Sequence, residues 1–401
     1  MDNKAPDFYP PQLHPLLVRV FQILAPIVTH FQYRVDLKVS ADSLEKMRGL
    51  RDQRCLMLPN HPTFHDPIVI FLLSGRLKQP FYYLAAYEQF KGFFRYFFPK
   101  VGVYSIRRGL ADRASIAQTL ELLTQPQCHL VIFAEGGCSF QNDTVMPFRS
   151  GAVQMAFQAM NKWVKQGEPV PDLYVVPISI KYRYTEDMTQ VIDQTLSRLE
   201  TALQVPTAPS PYERLRAIAE RVLVSLELDY ELHTPDTSQQ PWNERILKLR
   251  SHILECCEQK LSLPTNLGEP VRERVYKILY ALESKAATLE TKGIWSPDFI
   301  YQAMMRLLNF DAIYDGYVAA DPTPERFLDT LTRLEREVFK IDQPVPKGHR
   351  QALLQVGEPI NLKAHFEQYQ KNRTGTVNTL VDQLHQTVQE NLNLLIKANS
   401  P

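Results

Sequence analysis

The stretch Asn60-His61-Pro62-Thr63-Phe64-His65-Asp66 holds the residues of this chain whose types and spacing most directly suggest chemistry. It lies between a short apolar run, Arg54 to Leu58, that suits a buried strand, and a helix-like block from Ile68 to Leu73. A His and an Asp five positions apart can meet across a tight turn at such a junction. The carboxylate then accepts from one ring nitrogen and leaves the other as a base, the arrangement that acyl transfer needs. Two plainer readings exist: Asp66 can cap the helix that starts at Pro67, and both histidines can be packing or loop residues.

Two further elements carry polar groups next to glycines. In Gly102-Val103-Tyr104-Ser105-Ile106-Arg107-Arg108-Gly109, two adjacent guanidiniums at a strand end could fork onto a phosphate; an exposed basic turn has the same composition. In Phe133-Ala134-Glu135-Gly136-Gly137-Cys138-Ser139, with Pro147-Phe148-Arg149-Ser150-Gly151 downstream, paired glycines after an apolar strand allow a ligand close to the backbone, or simply make a turn. Cys138 could be a thiol nucleophile with a His elsewhere as base. It lacks the Gly-x-Ser-x-Gly elbow of serine hydrolases, and a small semi-buried residue is the commoner role for an unpaired cysteine.

The elements that must hold these residues alternate. Strand candidates Arg54–Leu58, Phe81–Ala85, Leu130–Phe133 and Leu173–Ile180 are separated by helical patterns, including one from Gly151 to Lys165. This cadence predicts an α/β fold, a sheet covered by helices on both faces. Residues 8–34 read as an amphipathic helix that Pro26 should kink or end. Its apolar run, Leu13 to Val28, falls short of the ~20 residues a span needs, and no signal-peptide grammar precedes it, so membrane contact is expected to be peripheral. After Tyr184 the pattern is helical, with Pro-containing linkers such as Pro209-Ser210-Pro211, Thr234-Pro235 and Pro322-Thr323-Pro324. A strand candidate then returns at Ala352–Val356, and a terminal helix carries Val377, Leu380, Val381, Leu384, Val388, Leu392 and Leu395 on one stripe.

Composition removes whole classes of function. With 45 Lys+Arg against 44 Asp+Glu the net charge is +1, so no overall field drives the chain to nucleic acid. Five cysteines, with no Cys-x-x-Cys or Cys/His ligand spacing, indicate neither a zinc site nor a disulfide framework and favour a reducing compartment.

Order and spacing together resemble the glycerolipid acyltransferase family, which includes glycerol-3-phosphate and lysophosphatidic acid acyltransferases. Asn60, His61, Thr63 and Asp66 are in register with its Asn-His-x-Ser/Thr-x-x-Asp block. Gly102 to Arg108 is similar to Gly-x-x-x-(apolar)-x-Arg. Glu135-Gly136 opens the block Glu-Gly-Thr-Arg-Ser, but Gly137 and Cys138 replace Thr and Arg before the matching Ser139. Val176-Pro177-Ile178-Ser179 looks like the fourth block. The missing arginine is a cation thought to be directed at the acceptor phosphate. Gln355-Val356-Gly357-Glu358-Pro359-Ile360 resembles the family's last strand.

The resemblance implies a glycerol-phosphate-acyltransferase-like α/β catalytic domain with helices on both faces of a mixed sheet. It would comprise residues 35–185 and 349–401, with 1–34 as an amphipathic helical segment and 186–348 as an all-helical insertion. Ala352–Val356 would return as an edge strand. The rival is a separate helical domain at the C-terminus. The implied reaction is transfer of a fatty acyl group from acyl-CoA or acyl carrier protein to a hydroxyl of a glycerolipid precursor in phospholipid biosynthesis, lysophosphatidic acid favoured. Glycerol-3-phosphate or another lysolipid is the alternative acceptor. His61 would be the general base and Asp66 its orienting partner. Arg107 and Arg108 would hold the acceptor phosphate, Glu135, Gly136 and Gly137 would shape its pocket, and Arg149 would stand in for the missing cation. The chemistry needs no metal or other cofactor. A cytoplasmic, peripherally membrane-associated enzyme follows, and Phe90 to Lys100, six aromatics among three cations, suits a bilayer interface or a buried acyl pocket. The other classes are a non-catalytic lipid-binding homologue and a thiol hydrolase using Cys138 with His61 or His129.

Overall fold

The computed structural model describes residues 6–109, 111–232, 239–285 and 295–397; the linker Thr234-Pro235 lies outside them. The chain divides into two compact units, residues 1–183 with 349–401, and residues 184–348.

In the first unit, helix α1 (Pro15–Val28) starts where Pro15 needs no N–H partner, and it runs into a π-helical turn, Thr29–Tyr33. Strand β1 (Val35–Val39) and helix α2 (Ala41–Gly49) follow, the latter capped by the Ser40 side chain. Then come β2 (Arg54–Pro59), α3 (Asp66–Leu77), β3 (Tyr82–Ala86), α4 (Phe94–Lys100), β4 (Val103–Ile106), α5 (Arg113–Thr124), β5 (His129–Val131), α6 (Gly151–Val164) and β6 (Leu173–Tyr184).

The second unit holds helices α7 (Thr189–Leu203), α8 (Pro211–Asp229), α9 (Trp242–Lys260), α10 (Val271–Lys285), α11 (Pro297–Phe310), α12 (Tyr317–Ala320) and α13 (Pro324–Phe339), with no strand among the described residues beyond the end of β6. The stripe Leu215, Ile218, Val222, Leu223 and Leu226 is buried in its core with Val275, Ile278 and Leu282. Forked pairs join Arg214 with Glu200, Arg245 with Glu227 and Arg274 with Glu258, matching six buried charges inside this unit. The first unit resumes with β7 (Arg350–Val356), β8 (Ile360–Asn361), α14 (Phe366–Lys371) and α15 (Arg373–Lys397).

The sheet order is β1-β7-β6-β2-β5-β3-β4, with β8 beside β6. β1 runs parallel to β7; β6, β2, β5, β3 and β4 pair parallel in turn; β8 is antiparallel to β6. Along β7, Arg350 stacks over Tyr182 while the Gly357 amide bonds the Pro177 carbonyl. The partner positions descend as β7 ascends, so β7 and β6 run in opposite senses and the sheet is mixed, as expected. β7 is not the edge strand the sequence suggests, because β1 covers its other side. One face of the sheet buries Leu56, Leu58, Leu130 and Val175 against α5, α6 and α15; the other buries Met57, Val131, Val176 and Ile178 against α2 and α3.

The N-terminal helix departs from expectation in two ways. It starts at Pro15, and Pro26 does not end it. The Thr29 hydroxyl donates to the Pro26 carbonyl, and the helix continues to Tyr33. Residues Pro15–Tyr33 therefore form a 19-residue helix of mean hydropathy 1.2 with 17% buried, long and apolar enough by length and composition to cross a membrane. The π turn Thr29–Tyr33 carries the helix past Val28, where the apolar run of the sequence ends.

Candidate active site

His61 sits on the loop between β2 and α3, and its ring is fixed from several sides. Nδ1 lies 2.6 Å from Asp66 Oδ2, with Asp66 fully buried and the His61 side chain 14% exposed. Asp66 opens α3, but its carboxylate turns back onto the loop rather than capping the helix. Oδ2 also accepts from the Thr63 amide at 2.8 Å, and Oδ1 accepts from the Thr63 hydroxyl at 3.1 Å and from the Tyr182 hydroxyl at 2.6 Å. A buried carboxylate with this many donors cannot swing away from the imidazole.

The backbone of the loop is clamped as well. The His61 amide donates to Glu135 Oε1 at 2.6 Å, and Glu135 Oε2 accepts from the Met146 amide at 3.1 Å. The His61 carbonyl accepts from the Ser139 amide at 2.8 Å. Asn60 forks onto the Ile180 main chain at 2.7 and 3.0 Å, and Asn142 does the same to Tyr182 at 2.6 Å on both sides. β6 is thereby locked in register with the loop that carries the imidazole.

Two neighbours touch the ring itself. Phe133 packs on it with centroids 4.4 Å apart. Cys138 Sγ is 3.5 Å from Nε2 and 3.8 Å from Nδ1. Near-equal distances place the sulfur beside the ring, between the two nitrogens; along the Nε2 lone pair it would be much farther from Nδ1. Burial works against the imidazolium. Cys138 and Asp66 favour it, and together they hold the ring well above its ordinary pKa. His65 points elsewhere: its Nδ1 is 2.9 Å from Arg350 Nη2. Burial and the Arg350 charge push it down to about 4.

The other residues singled out by sequence fall into two groups. Arg108 and Arg149 converge on Gly136: Arg108 Nη1 is 3.5 Å from the Gly136 carbonyl, and a Cβ on Gly136 would stand 2.6 Å from Arg149 Nε and Cζ. Gly136 also has φ +75°, so a side chain there would be strained by its backbone and blocked by the guanidinium. Arg108 further approaches Glu88 at 3.5 Å, and Gly137 follows on the same turn. Arg107 lies apart, over the Tyr87 ring at 4.5 Å and 3.1 Å from Asp7. Glu135 is buried with its carboxylate on main-chain amides, the position of a brace for the loop. Sequence reasoning misses Tyr182 and Asn142. The advance signal for Tyr182 is the two-residue alternation of β6, which puts Ile178, Ile180 and Tyr182 on one face; Asn142, on the loop between β5 and α6, has none.

A buried carboxylate that fixes one imidazole nitrogen, beside a turn with two convergent guanidiniums, is equipped to take a proton from a hydroxyl near an anionic group. No curated protein matches the chain. Residues 38–181, which hold His61, Asp66, Arg108, Gly136 and Arg149, match the family model described as Acyltransferase.

Proposed function

We propose that this acyltransferase domain moves a fatty acyl group from a thioester, acyl-CoA or acyl carrier protein, to the hydroxyl of a phosphorylated glycerolipid precursor, lysophosphatidic acid first among them. The carrying observation is the 2.6 Å contact from His61 Nδ1 to a fully buried Asp66. An alcohol is a poor nucleophile at neutral pH. His61 Nε2 takes its proton as the oxygen attacks the thioester carbonyl, and Asp66 stabilises the imidazolium. The collapsing intermediate expels the thiolate, which recovers that proton. Arg108 and Arg149 hold the acceptor phosphate at the Gly136 turn, with Gly137 leaving the backbone open beside it. The Cys138 thiol lies off the Nε2 lone pair, which favours direct attack over a thiol hydrolase. The elaborate bracing of Asp66 favours a working centre over a retired lipid-binding one.

The enzyme would work at a cytoplasmic membrane surface. Helix α1 is docked on the domain by one face, where Gln22 Nε2 donates to Ser74 Oγ and to the Gln79 carbonyl, each at 3.0 Å. Its other face shows Leu16 at 75% and Phe31 at 76% exposure, with Val20, Ile23 and Ile27 between them. Phe21 joins it edge-on to Phe97 of α4, on which Phe93, just before that helix and 70% exposed, stacks beside Phe94 and Tyr96. This apolar surface on a helix anchored from behind suits insertion into the headgroup boundary. The test is a labelled-acyl assay on vesicles, offering glycerol-3-phosphate, lysophosphatidic acid and neutral lysolipids with both donor types, products read by mass spectrometry. Transfer to phosphorylated acceptors is expected; hydrolysis alone would sink the reading.

A further inference from the structure

A second group of ligand-bearing side chains lies at the end of the sheet that carries the acyl-transfer loop. His30, on the π turn, faces Asp36 of β1, with Nδ1 3.0 Å from Oδ1 and 3.1 Å from Oδ2. His349, one residue before β7, brings Nε2 to 2.7 Å from Asp36 Oδ2. The two imidazole centroids are 4.6 Å apart, and one ligand atom from each residue lies within 4.8 Å of the others. The backbone dictates part of this. Val35 pairs with Arg350 and Asp36 with Gln351 in a parallel register, so two-residue alternation puts Asp36 and His349 on one face of the sheet.

We propose that His30, Asp36 and His349 form a binding site for one divalent transition-metal ion, zinc by preference. Two imidazoles and a carboxylate are the donor set of borderline cations. Three protein ligands leave a fourth, tetrahedral position to water, and bond lengths of about 2.0–2.2 Å need ligand atoms roughly 3.3–3.5 Å apart. The present separations run from 2.7 Å upward and all fall within 4.8 Å, around that value, so small side-chain rotations suffice. The side chains are 47%, 48% and 25% exposed in chain order, which gives an ion a way in. The neighbouring cation, Arg350, is turned onto His65 and Tyr182. A bound ion would tie the end of the apolar helix to the start of β7, next to the arginine that touches the acyl-transfer loop.

The experiment uses the full-length protein, stripped with chelator and titrated with Zn²⁺ by calorimetry at neutral pH, and separately with Co²⁺ in the visible range. One saturable equivalent is expected. The cobalt complex should show tetrahedral d–d bands without the thiolate charge-transfer band that a cysteine site would give. Asp36→Asn, His349→Gln and His30→Gln should each weaken binding about 100-fold or more, at or beyond the upper end of what loss of a supporting partner costs. The His30 variant lies on an exposed turn and keeps the test informative should another fail to fold. No saturable binding, thiolate bands, or an equivalent untouched by all three variants overturns the site.

Discussion

The Tyr182 hydroxyl donates 2.6 Å to Asp66 Oδ1, the oxygen His61 does not use, so β6 and α3 meet on one buried carboxylate. Tyr182→Phe leaves that oxygen with the Thr63 hydroxyl and no other named donor. A hydrogen bond to a charged group contributes about 1.5–3 kcal/mol, and thermal melting should show a loss of that order. Because the anion then holds the imidazole less rigidly, kcat should fall while KM for the thioester stays level. A melting temperature and kcat both equal to wild type would remove Tyr182 from the site.

His61→Ala should cost about 10²–10⁴-fold in kcat with the fold intact, the usual range for a general base, and Asp66→Asn nearly as much. The base must be neutral to work, and its pKa lies above the ordinary value. Activity should therefore rise with pH along an acid limb placed above the ordinary histidine midpoint of about 6.5. Cys138→Ala removes one of the groups that raise it and should move the limb to lower pH while activity persists. A dead Cys138→Ala enzyme would instead make the thiol the nucleophile. Alkylation does not distinguish these, since an adduct on a sulfur 3.5 Å from Nε2 blocks the base in either case.

Arg108→Ala and Arg149→Ala should each raise KM for a phosphorylated acceptor about tenfold to a hundredfold, the equivalent of a charge-assisted contact. KM for the thioester should move little. Arg107→Ala, whose guanidinium stacks on Tyr87, should be nearly silent. Equal effects of all three on donor and acceptor would assign the guanidiniums to the fold.

His65 supplies an acid-stability signature. Its midpoint is pushed down to about 4 by burial and by Arg350, so it is neutral when folded and gains a proton on unfolding at any pH between that value and about 6.5. Stability is full above that upper value and falls as pH drops through the window, by about 3 kcal/mol in total. His65→Gln should flatten this part of the unfolding curve and spare most activity. An unaltered acid profile would show that His65 titrates normally.

The catalytic loop was legible in the sequence because its chemistry is local: His61, Thr63 and Asp66 meet within one turn. So were the strands β2, β5 and β6, apolar on both faces. β1 escaped because the alternation of Val35, Leu37 and Val39 with Asp36 and Lys38 spans only five residues, and β8 because two residues carry no period. Tyr182 reaches Asp66 across 116 positions and Arg350 reaches His65 across 285. Such meetings depend on strand register, which no local spacing encodes. His30, Asp36 and His349 are hidden for the same reason, since ligand spacing is sought within short segments.

The place of β7 between β1 and β6 has a consequence for how the polypeptide matures. During synthesis β1 and β6 emerge long before the strand that joins them, and the Val356 amide meets the Ser43 hydroxyl across 313 positions. Until then two strand edges lie open, a state prone to mispairing with other nascent chains. The intervening helical unit closes once α13 has emerged to pack on α7, still ahead of β7, and can form first. β7 then enters a slot already lined on both sides, as the closing step of assembly. A ribosome stalled after residue 348 should hold a soluble helical unit tethered to an unfinished sheet, one that chaperones would recognise.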